Sequence, residues 1–380
     1  MVLGSAPTAD VVIALSSSNT GEGSLSTNSL TFTSANWSTP QTVTVTGVND
    51  TLVDGTVAYS VVTAAATSAD SGYNGLNAAD VSLTNTDNDS VNTIVVDTAA
   101  DTVDGTTTSL AALMANKGAD GKISLREAII ATNNTANGPG GADRIDFNIA
   151  GTGAHTITLA SVLPSLTEAV IIDASTDDSF AANGNRPAIV IDVNGISTSN
   201  GLRLSSAADG STIRGFVIRN FTTSAITIAA GASGNTIAGN YLGPLDTSGN
   251  FVAGLATSSY TVLVNGDNNM IGGSTAADRN VMASAGGNYG VFVNGAGASN
   301  NRISGNYIGI DASGSSNVGN SWTAVSLFGS GANNVIGGSG AGQANLITGS
   351  NAAPIYLANA GSGSLVQGNW IGIGANGTSI

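Results

Sequence analysis

A short pattern, Ser/Asn-x-apolar-x-Gly, recurs six times between residues 211 and 368 and constrains the fold more than any other feature of the chain. Successive glycines of this repeat are separated by 24, 33, 33, 32 and 31 residues. Aligned on the glycine, the six copies read Ser211/Ile213/Gly215, Asn235/Ile237/Gly239, Asn268/Met270/Gly272, Asn301/Ile303/Gly305, Asn333/Val335/Gly337 and Ser364/Val366/Gly368.

Each copy is preceded by a short apolar-x-apolar segment that is typical of a β-strand. These segments are Leu202/Leu204, Ile226/Ile228, Val262/Val264, Val291/Val293, Val325/Leu327 and Ile355/Leu357. A period of roughly 32 residues, made only of short strands and Gly/Asn turns, is typical of a parallel β-helix. We therefore expect inward apolar columns, amide ladders of asparagine between coils, glycines with positive φ at corners, and right-handed crossovers. This β-helix is predicted over residues 143–380 and is expected to end inside a repeat.

Every second copy differs, which reveals a superperiod. Gly-Asn-aromatic-aliphatic-Gly occurs at 239–243, 305–309 and 368–372, whereas the intervening copies replace this Asn with a second glycine. Tyr241, Tyr307 and Trp370 should therefore lie in one column, two coils or roughly 10 Å apart. Two interpretations stay open: duplication of a two-coil unit with aromatics packing a corner, or a ligand-binding face that stacks on sugar rings.

The first 90 residues show a different pattern of short alternating strands separated by Gly, Asn, Asp and Ser. Such strands predict an immunoglobulin-like β-sandwich. We expect them at Val11–Leu15, Leu30–Thr33, Thr42–Thr46, Val57–Val62 and Val81–Thr84.

The stretch LTFTSANWSTPQTVTVTGVND from Leu30, with LVDGTVAYSVVTAAATSAD from Leu52 and VSLTNTDND from Val81, resembles Calx-β modules of large bacterial surface proteins. Its acidic residues cluster at presumed loop ends and in the exit linker. One interpretation is that they bind Ca²⁺ across the junction, and the other is that they form Asx turns. The candidate calcium ligands are Asp50, Asp54, Asp87 and Asp89.

Residues 91–142 should contain a strand, Asn92–Asp97, and then helices at Thr108–Ala115 and Leu125–Asn133. The loop NKGADGKISLRE between the helices matches part of the EF-hand template. It places Asn116, Asp120, Lys122 (through its carbonyl) and Glu127 at ligand positions 1, 5, 7 and 12, although position 3 is a glycine. In the alternative, structural interpretation, Ser124 caps the second helix and Glu127 completes a capping box.

The same region resembles a second family. DTAADTVDG from Asp97 and SLREAI from Ser124 are similar to the CSLREA-type segment that precedes right-handed parallel β-helices in bacterial surface proteins, with Ile123 in place of the usual Cys. On physical grounds, we expect the second helix, which is amphipathic and bears Leu125, Ala128, Ile129 and Thr132, to lie across the open first coil. Solenoid ends require such caps because their terminal apolar layer otherwise faces water.

Composition narrows the functional classes. The formal net charge is −15 with a pI near 4.1, so nucleic acid and anionic membranes are unfavourable partners, whereas Ca²⁺ is an expected cofactor. The absence of cysteine excludes disulfides and thiolate metal sites. No signal peptide or apolar membrane span is recognisable in the sequence, and both ends are expected to be cuts from something longer.

The hypothesis of an enzymatic function depends on one acidic cluster. Asp173, Asp177, Asp178 and Asp192, with Arg186 and Arg203, would have to form a lyase or glycosidase site, in which Asp173 and Asp192 could stack on adjacent coils. The lone His155 and the scarcity of basic residues in the repeats argue against this hypothesis.

We therefore expect an all-β chain that serves as a structural or adhesive segment of a secreted, extracellular bacterial surface protein. Flanking domains, neighbouring copies in a filament and carbohydrate are its expected partners. A carbohydrate-binding or carbohydrate-active β-helix is the alternative.

Overall fold

The computed structural model describes residues 1–48, 56–86, 92–138, 140–255, 259–284, 289–319 and 322–380. The chain divides into two units, residues 1–91 with 138–141 and residues 92–137 with 142–380. Within the described ranges the chain is mostly β, with antiparallel sheets in the first unit and long parallel sheets in the second. None of the described helices is long and apolar enough to cross a membrane.

The first unit contains antiparallel strands around a small apolar core. β1 pairs with β3 and β6 through its first half and with β5 through its second half, and β5 pairs with β7. Residues of β1 alternate between buried and exposed, as expected for a strand with one face on a core. The predicted strands are all present, with shifted ends. The described strands are β1 (Val11–Ser17), β2 (Gly23–Leu25), β3 (Ser29–Phe32), β4 (Val45–Gly47), β5 (Val57–Thr63), β6 (Thr67–Ser68) and β7 (Val81–Asn85).

The second unit is built from three parallel sheets. Sheet I consists of β10 (His155–Thr158), β12 (Ile189–Asp192), β15 (Phe216–Arg219), β18 (Tyr241–Leu242), β21 (Val281–Met282), β24 (Tyr307–Ile308), β27 (Leu346–Ile347) and β30 (Trp370–Ile371). Sheet II consists of β8 (Thr93–Val96), β9 (Asp143–Phe147), β11 (Val170–Asp173), β14 (Thr212–Arg214), β17 (Thr236–Ala238), β20 (Met270–Gly272), β23 (Arg302–Ser304), β26 (Val335–Gly337) and β29 (Leu365–Gln367). Sheet III consists of β13 (Asn200–Leu204), β16 (Ser224–Ile228), β19 (Tyr260–Val264), β22 (Tyr289–Asn294), β25 (Thr323–Phe328) and β28 (Ala353–Ala358).

From β11 onwards the chain visits sheets II, I and III in a fixed order, and we call each such pass a level. Every level pairs in parallel with the levels before and after it. The predicted apolar-x-apolar segments all lie in sheet III, where Leu202, Ile226, Val262, Val291 and Val325 pair in one inward column. One continuous core runs through this unit from Ile94 to Ile347.

The asparagine ladders exist, but the predicted alignment of two copies is wrong by one residue. Ile271 and Ile336, not Met270 and Val335, pair with the inward Ile303. The sequences NNMIGG and NNVIGG offer an Asn and an apolar residue in both registers. The register that buries the isoleucine also moves the ladder from the predicted Asn268 and Asn333 to the next residues. The first ladder therefore runs through Ser211, Asn235, Asn269, Asn301 and Asn334, with main-chain N to side-chain Oδ1 distances of 2.8–2.9 Å.

The displaced residues Asn268 and Asn333 have positive φ of 56° and 60° and stand at the corner itself. A second ladder precedes sheet I at the next corner. In it, each Nδ2 group donates to Oδ1 of the following level at 2.9–3.1 Å. The copies without an asparagine directly after the glycine also contribute to this ladder. In them an inserted loop ends at Asn280 or Asn345, and this residue takes the ladder position. The second ladder comprises Asn240, Asn280, Asn306, Asn345 and Asn369.

The helical segment begins this unit. α1 (Leu110–Ala115) and α2 (Leu125–Asn133) have their apolar sides in the same core as the parallel sheets. Leu125, Ala128, Ile129 and Thr132 are buried, as predicted for a covering helix. A third helix that the sequence patterns did not predict, α3 (Asp178–Ala182), follows a 3₁₀ turn at Ala174–Thr176, and a second 3₁₀ turn lies at Ala276–Asp278.

Candidate functional site: the aromatic face of sheet I

Tyr241, Tyr307 and Trp370 lie in a single column on the outer face of sheet I. The pairing register runs Tyr241, Val281, Tyr307, Leu346, Trp370, so the aromatic residues occupy alternate levels. Leu242 and Ile308, which follow the two tyrosines, are fully buried in the core, and Ile371, which follows Trp370, pairs with the buried Ile347. Because successive residues of a strand point to opposite faces, the aromatic column faces outwards.

A hairpin loop follows each aromatic residue and forms one wall of this face. The loops are closed by isolated antiparallel bridges, Leu245–Phe251, Ile310–Asn317 and Ile373–Ser379. They stack on one another two levels apart, since the main-chain N–H of Ala312 donates to Gly249 O and that of Ala375 donates to Gly314 O, at 3.2 and 2.8 Å.

Two glycines let these loops lie against the rings. Gly249 and Gly314 have φ of +77° and +70°, a region that side chains disfavour. A Cβ atom on Gly249 would lie 3.1 Å from the Tyr241 ring, and one on Gly314 would lie 3.1 Å from the Tyr307 ring. The loop backbone therefore packs directly against the edge of each tyrosine.

The opposite wall comes from the inserted loops that precede Asn280 and Asn345. Between the two walls lie two pockets, one beside each of the levels without an aromatic residue. The Tyr241 pocket, of about 460 Å³, is lined by Asn185, Arg186, Tyr241, Ser248, Asn250, Ala276, Arg279, Val281, Ala312 and Ser313. The Trp370 pocket, of about 280 Å³, is lined by Arg279, Tyr307, Gly342, Ala344, Asn345, Leu346, Trp370 and Ala375.

Arg279 belongs to both pockets. Its guanidinium carbon lies 4.1 Å from the centroid of the Tyr307 ring, within cation–π range, and its Nε donates to Gly305 O at 3.4 Å. Arg186 enters the Tyr241 pocket from the other side, anchored by donation from Nε to Asn183 O at 2.8 Å. Burial raises the pKa of Tyr241, and the positive charges of Arg186 and Arg279 partly offset this rise. Both arginines therefore act electrostatically on the same phenol.

The helix–loop–helix carries the predicted calcium ligands, and the structure shows what each side chain contacts. Ser124 and Glu127 form a complete capping box, which confirms the structural alternative. Glu127 is buried, and its Oε1 accepts from the main-chain N–H groups of Asp104 and Gly105 at 2.9 and 2.8 Å, while Oε2 accepts from that of Ser124. Both carboxylate oxygens thus already hold main-chain groups.

The other three candidate ligands are engaged in local contacts. Asn116 is the C-cap of α1 and donates to Thr106 Oγ1 at 2.9 Å. Asp120 accepts from the main-chain N–H of Lys122 at 2.8 Å, and the ammonium of Lys122 lies 3.7 Å from Asp97. Among the described residues, no group of three or more His, Cys, Asp or Glu side chains is placed to hold a metal. Calcium binding by this loop stays a prediction.

The remaining calcium candidates, Asp50, Asp54, Asp87 and Asp89, lie outside the described residues. The nearby Asp70 is described and forms an Asx turn. Its pKa is lowered because its carboxylate accepts from the main-chain N–H groups of Thr8 and Gly72.

The acidic cluster considered for catalysis is not assembled as expected. Asp173 ends a strand of sheet II and Asp192 a strand of sheet I, so they belong to one level and do not stack on adjacent levels. Asp173 pairs with Arg144 at 3.0 Å, and Asp192 pairs with Arg219 at 3.1 Å. The Oδ1 atom of Asp177 accepts from the main chain of Ser179 and lies 3.9 Å from His155 Nε2.

Sequence reasoning found the aromatic column but missed both arginines as partners of it. Arg186 and Arg279 are 93 residues apart in the chain, and no motif connects them. The insertion before Asn280 could have indicated Arg279. A loop that precedes a ladder position must project beside the next strand of sheet I, where the aromatic column lies.

Comparison of the chain with family models, with curated proteins and with solved structures finds no match in any of the three.

Proposed function

We propose that the chain is a structural and adhesive segment of a secreted bacterial surface protein. Its parallel unit is a right-handed parallel β-helix and its first unit a Calx-β-like sandwich. Two continuous amide ladders support the structural role, because they join successive levels at two corners in addition to the sheet hydrogen bonds. A solenoid in which each level contacts only its neighbours depends on such contacts for its stiffness.

The adhesive role is binding of carbohydrate on the aromatic face of sheet I. The observation that carries it is the alternation of Tyr241, Tyr307 and Trp370 with small aliphatic residues, which leaves a pocket at each intervening level. Sugar rings bind proteins by packing an apolar face on an aromatic ring while polar groups at the rim accept their hydroxyls. Both pockets combine aromatic side chains with polar side chains and loop backbone.

The test is glycan binding by the intact chain, measured on an array and then by calorimetry on the best ligand. Trp370→Ala and Tyr241→Ala should each lower the affinity at least about tenfold, equivalent to ~1.4 kcal/mol. Tyr356→Ala is the matched control, because Tyr356 is 44% exposed on sheet III and Trp370 is 47% exposed on sheet I. Equal losses in Tyr356→Ala and Trp370→Ala, or no glycan bound at all, would refute the adhesive role.

Calcium stabilisation is proposed separately, for the acidic residues of the first unit and the helix–loop–helix. Millimolar Ca²⁺ should raise the melting temperature of the chain, and Mg²⁺ at the same concentration should raise it less, since ligation by several carboxylate oxygens favours the larger ion. An unchanged melting curve contradicts this proposal.

Self-association into filaments is the remaining proposal for this chain. In β28, β29 and β30, the last strands of the three sheets, Leu357, Val366 and Ile371 are exposed, although the residues they pair with are buried. Electron microscopy of the purified chain should show end-to-end rods, and single short rods at all concentrations would argue against it.

A further inference from the structure

We infer that the Tyr241 pocket selects an acidic sugar, whose carboxylate is held by Arg186 and Arg279. This inference rests on the proposed carbohydrate binding and adds the chemistry of the ligand. A uronic acid unit within an oligosaccharide is the class of ligand that this chemistry describes.

The first argument is the pairing of positive charges in the chain. Four arginines of the second unit pair with aspartates: Arg126 with Asp101, Arg144 with Asp146 and Asp173, Arg214 with Asp173, and Arg219 with Asp192. Four further arginines, Arg186, Arg203, Arg279 and Arg302, form no ion pair with any described residue, and of these Arg186 and Arg279 line one pocket. The chain has a net charge of −15, whereas this pocket carries two positively charged guanidinium groups without ion-pair partners.

The second argument is that each guanidinium is held in place by groups other than carboxylates. Asn183 binds Arg186 through its main-chain oxygen at 2.8 Å and its side-chain oxygen at 3.3 Å. The same Asn183 donates to Thr247 O of the hairpin loop at 2.8 Å, so Arg186 and that wall of the pocket are fixed together. Arg279 is held by the ring of Tyr307. A positioned guanidinium fork is well suited to a carboxylate because it offers parallel N–H donors.

The third argument is that the acidic groups near the pocket are already engaged within their own loops. Asp246 accepts from the main-chain N–H groups of Ser248 and Asn250 at 2.8 and 2.9 Å. Asp278 accepts from Thr275 Oγ1 at 2.6 Å. Among the described residues, no Asp or Glu lines the Tyr241 pocket. The pocket itself thus supplies no carboxylate to these two arginines, and a ligand is the source that we propose.

The remaining lining suits the body of a sugar. Tyr241 and Val281 form a largely buried apolar floor and Ala312 a half-buried apolar wall, while Ser248, Asn250 and Ser313 offer hydroxyl and amide groups. The Trp370 pocket contains Arg279 but not Arg186, so it has one positive charge where the Tyr241 pocket has two. An acidic unit should bind beside Tyr241, and a neutral unit of the same oligosaccharide should bind beside Trp370.

The experiment compares trimers of galacturonate, glucuronate and mannuronate with the neutral trimers of galactose, glucose and mannose, by calorimetry on the intact chain. At least one acidic trimer should bind ten or more times more tightly than its neutral counterpart, and added salt should reduce this preference. Arg186→Gln and Arg279→Gln should each remove most of the preference. Arg302→Gln, an arginine outside both pockets and without a described ion pair, should leave it unchanged.

Two further variants separate the possible failures. Arg279→Lys keeps the charge and should retain part of the acidic preference even if loss of the Tyr307 contact lowers the melting temperature. Tyr241→Ala should weaken acidic and neutral trimers alike. If a neutral trimer binds as tightly as its acidic counterpart and requires Tyr241, the acidic inference is wrong and the carbohydrate proposal stands. If no trimer binds, the acidic inference is wrong, and the glycan array decides the carbohydrate proposal.

Discussion

Sheets I and III both carry aromatic residues on their outer faces, but the rings are spaced differently. On sheet I they occupy alternate levels, and Val281 and Leu346 separate them. On sheet III, Tyr260 and Tyr289 occupy adjacent levels and stack with a centroid distance of 5.7 Å, and the Phe292 ring lies 4.9 Å from Tyr260 and 4.5 Å from Tyr289. Neighbouring strands lie about 4.8 Å apart, so rings on adjacent levels meet and rings on alternate levels do not.

This spacing determines whether the side of each ring is covered by another ring. Rings that stack on one another have their faces covered, and they stabilise the sheet that carries them. Rings on alternate levels leave room for another molecule between them, provided that loops build walls around the gap. Sheet I has such walls, in the hairpin loops and the loops before Asn280 and Asn345, and sheet III has the self-stacked rings. In the second unit, the placement of a few aromatic residues thus distinguishes the face for which we propose carbohydrate binding from a face whose rings stack on one another.

The largest effect is expected from Asn306→Ala, because both faces depend on the level spacing that the ladders maintain. Asn306 is fully buried, and its Nδ2 donates to Asn345 Oδ1, Ile271 O and Ser304 O at 3.0, 2.8 and 3.1 Å. Its removal leaves buried main-chain groups without partners, and we expect a loss of about 3 kcal/mol in the free energy of unfolding. Chemical denaturation measures this loss.

Asn148→Ala is the control for that experiment, since Asn148 is an exposed asparagine of the same unit. It should change the free energy of unfolding by less than about 0.5 kcal/mol. Equal stability of the two variants would show that the ladders do not fix the spacing, and the contrast between the two faces would lose its physical basis.

Phe292→Ala tests the structural role of sheet III. Phe292 is only 8% exposed although it lies on the outer face, because three aromatic rings surround it. We expect a loss of about 2 kcal/mol in the free energy of unfolding, from lost burial and ring contacts, with glycan affinity unchanged. Phe328→Ala, at the 45% exposed end of the same stack, should cost less. A Phe292 variant with full stability but impaired glycan binding would reverse the assigned roles of the two faces.

Leu346→Tyr would place aromatic rings on adjacent levels of sheet I, as on sheet III. The new ring would lie between Tyr307 and Trp370, at the level that forms the floor of the Trp370 pocket. We expect it to stack on its neighbours, fill the gap and lower affinity for the bound glycan about tenfold, or ~1.4 kcal/mol. Leu346→Met, which keeps the volume, should have little effect on binding. Unimpaired binding by the tyrosine variant would mean that the alternate spacing is not what admits a ligand.

Much of this architecture could be predicted from the sequence because the solenoid repeats. Each inward column is a residue type at a fixed offset, so the strands of sheet III and the capping box at Ser124 follow from local patterns. The register at Met270 and Val335 could not be predicted in this way. NNMIGG and NNVIGG satisfy the pattern in two alignments, and only the fit of Ile271 and Ile336 in the core distinguishes these alignments. Packing, not local sequence, decides between such alignments.

The candidate site was predictable only in part for a related reason. The aromatic column follows from the period, since Tyr241, Tyr307 and Trp370 recur at one offset. The pairing of Arg186 with Arg279 depends on the paths of two loops of different length, which carry no periodic signal. The same holds for the separation of Asp173 from Asp192, where the number of residues between them gave no indication that the chain passes from sheet II to sheet I.

The smallest expected effect is a change of melting temperature and glycan affinity at low pH that arises only from the loops beside sheet I. Asp311 closes the second hairpin loop by accepting from the main-chain N–H groups of Ser315 and Ser316, both at 3.0 Å, and from Ser313 Oγ. Burial alone would raise the pKa of Asp311, but these hydrogen bonds outweigh it and the pKa is lowered. A lowered pKa in the folded chain means stabilisation that is complete above the ordinary value of about 3.9 and is lost as pH falls through the lowered value.

The difference in melting temperature between the unmodified chain and Asp311→Asn should therefore be constant from about pH 7 to pH 5 and should shrink below pH 4. Glycan binding at the Tyr241 pocket should weaken over the same acidic range, because Ala312 and Ser313 of this loop line it. In the ring stack of sheet III, burial raises the pKa of Tyr289, which moves its titration further from the acidic range, so we expect no response of this stack to acid. If Phe292→Ala and Asp311→Asn show the same loss of pH dependence, the acid response belongs to the whole parallel unit and not to the hairpin loops beside sheet I.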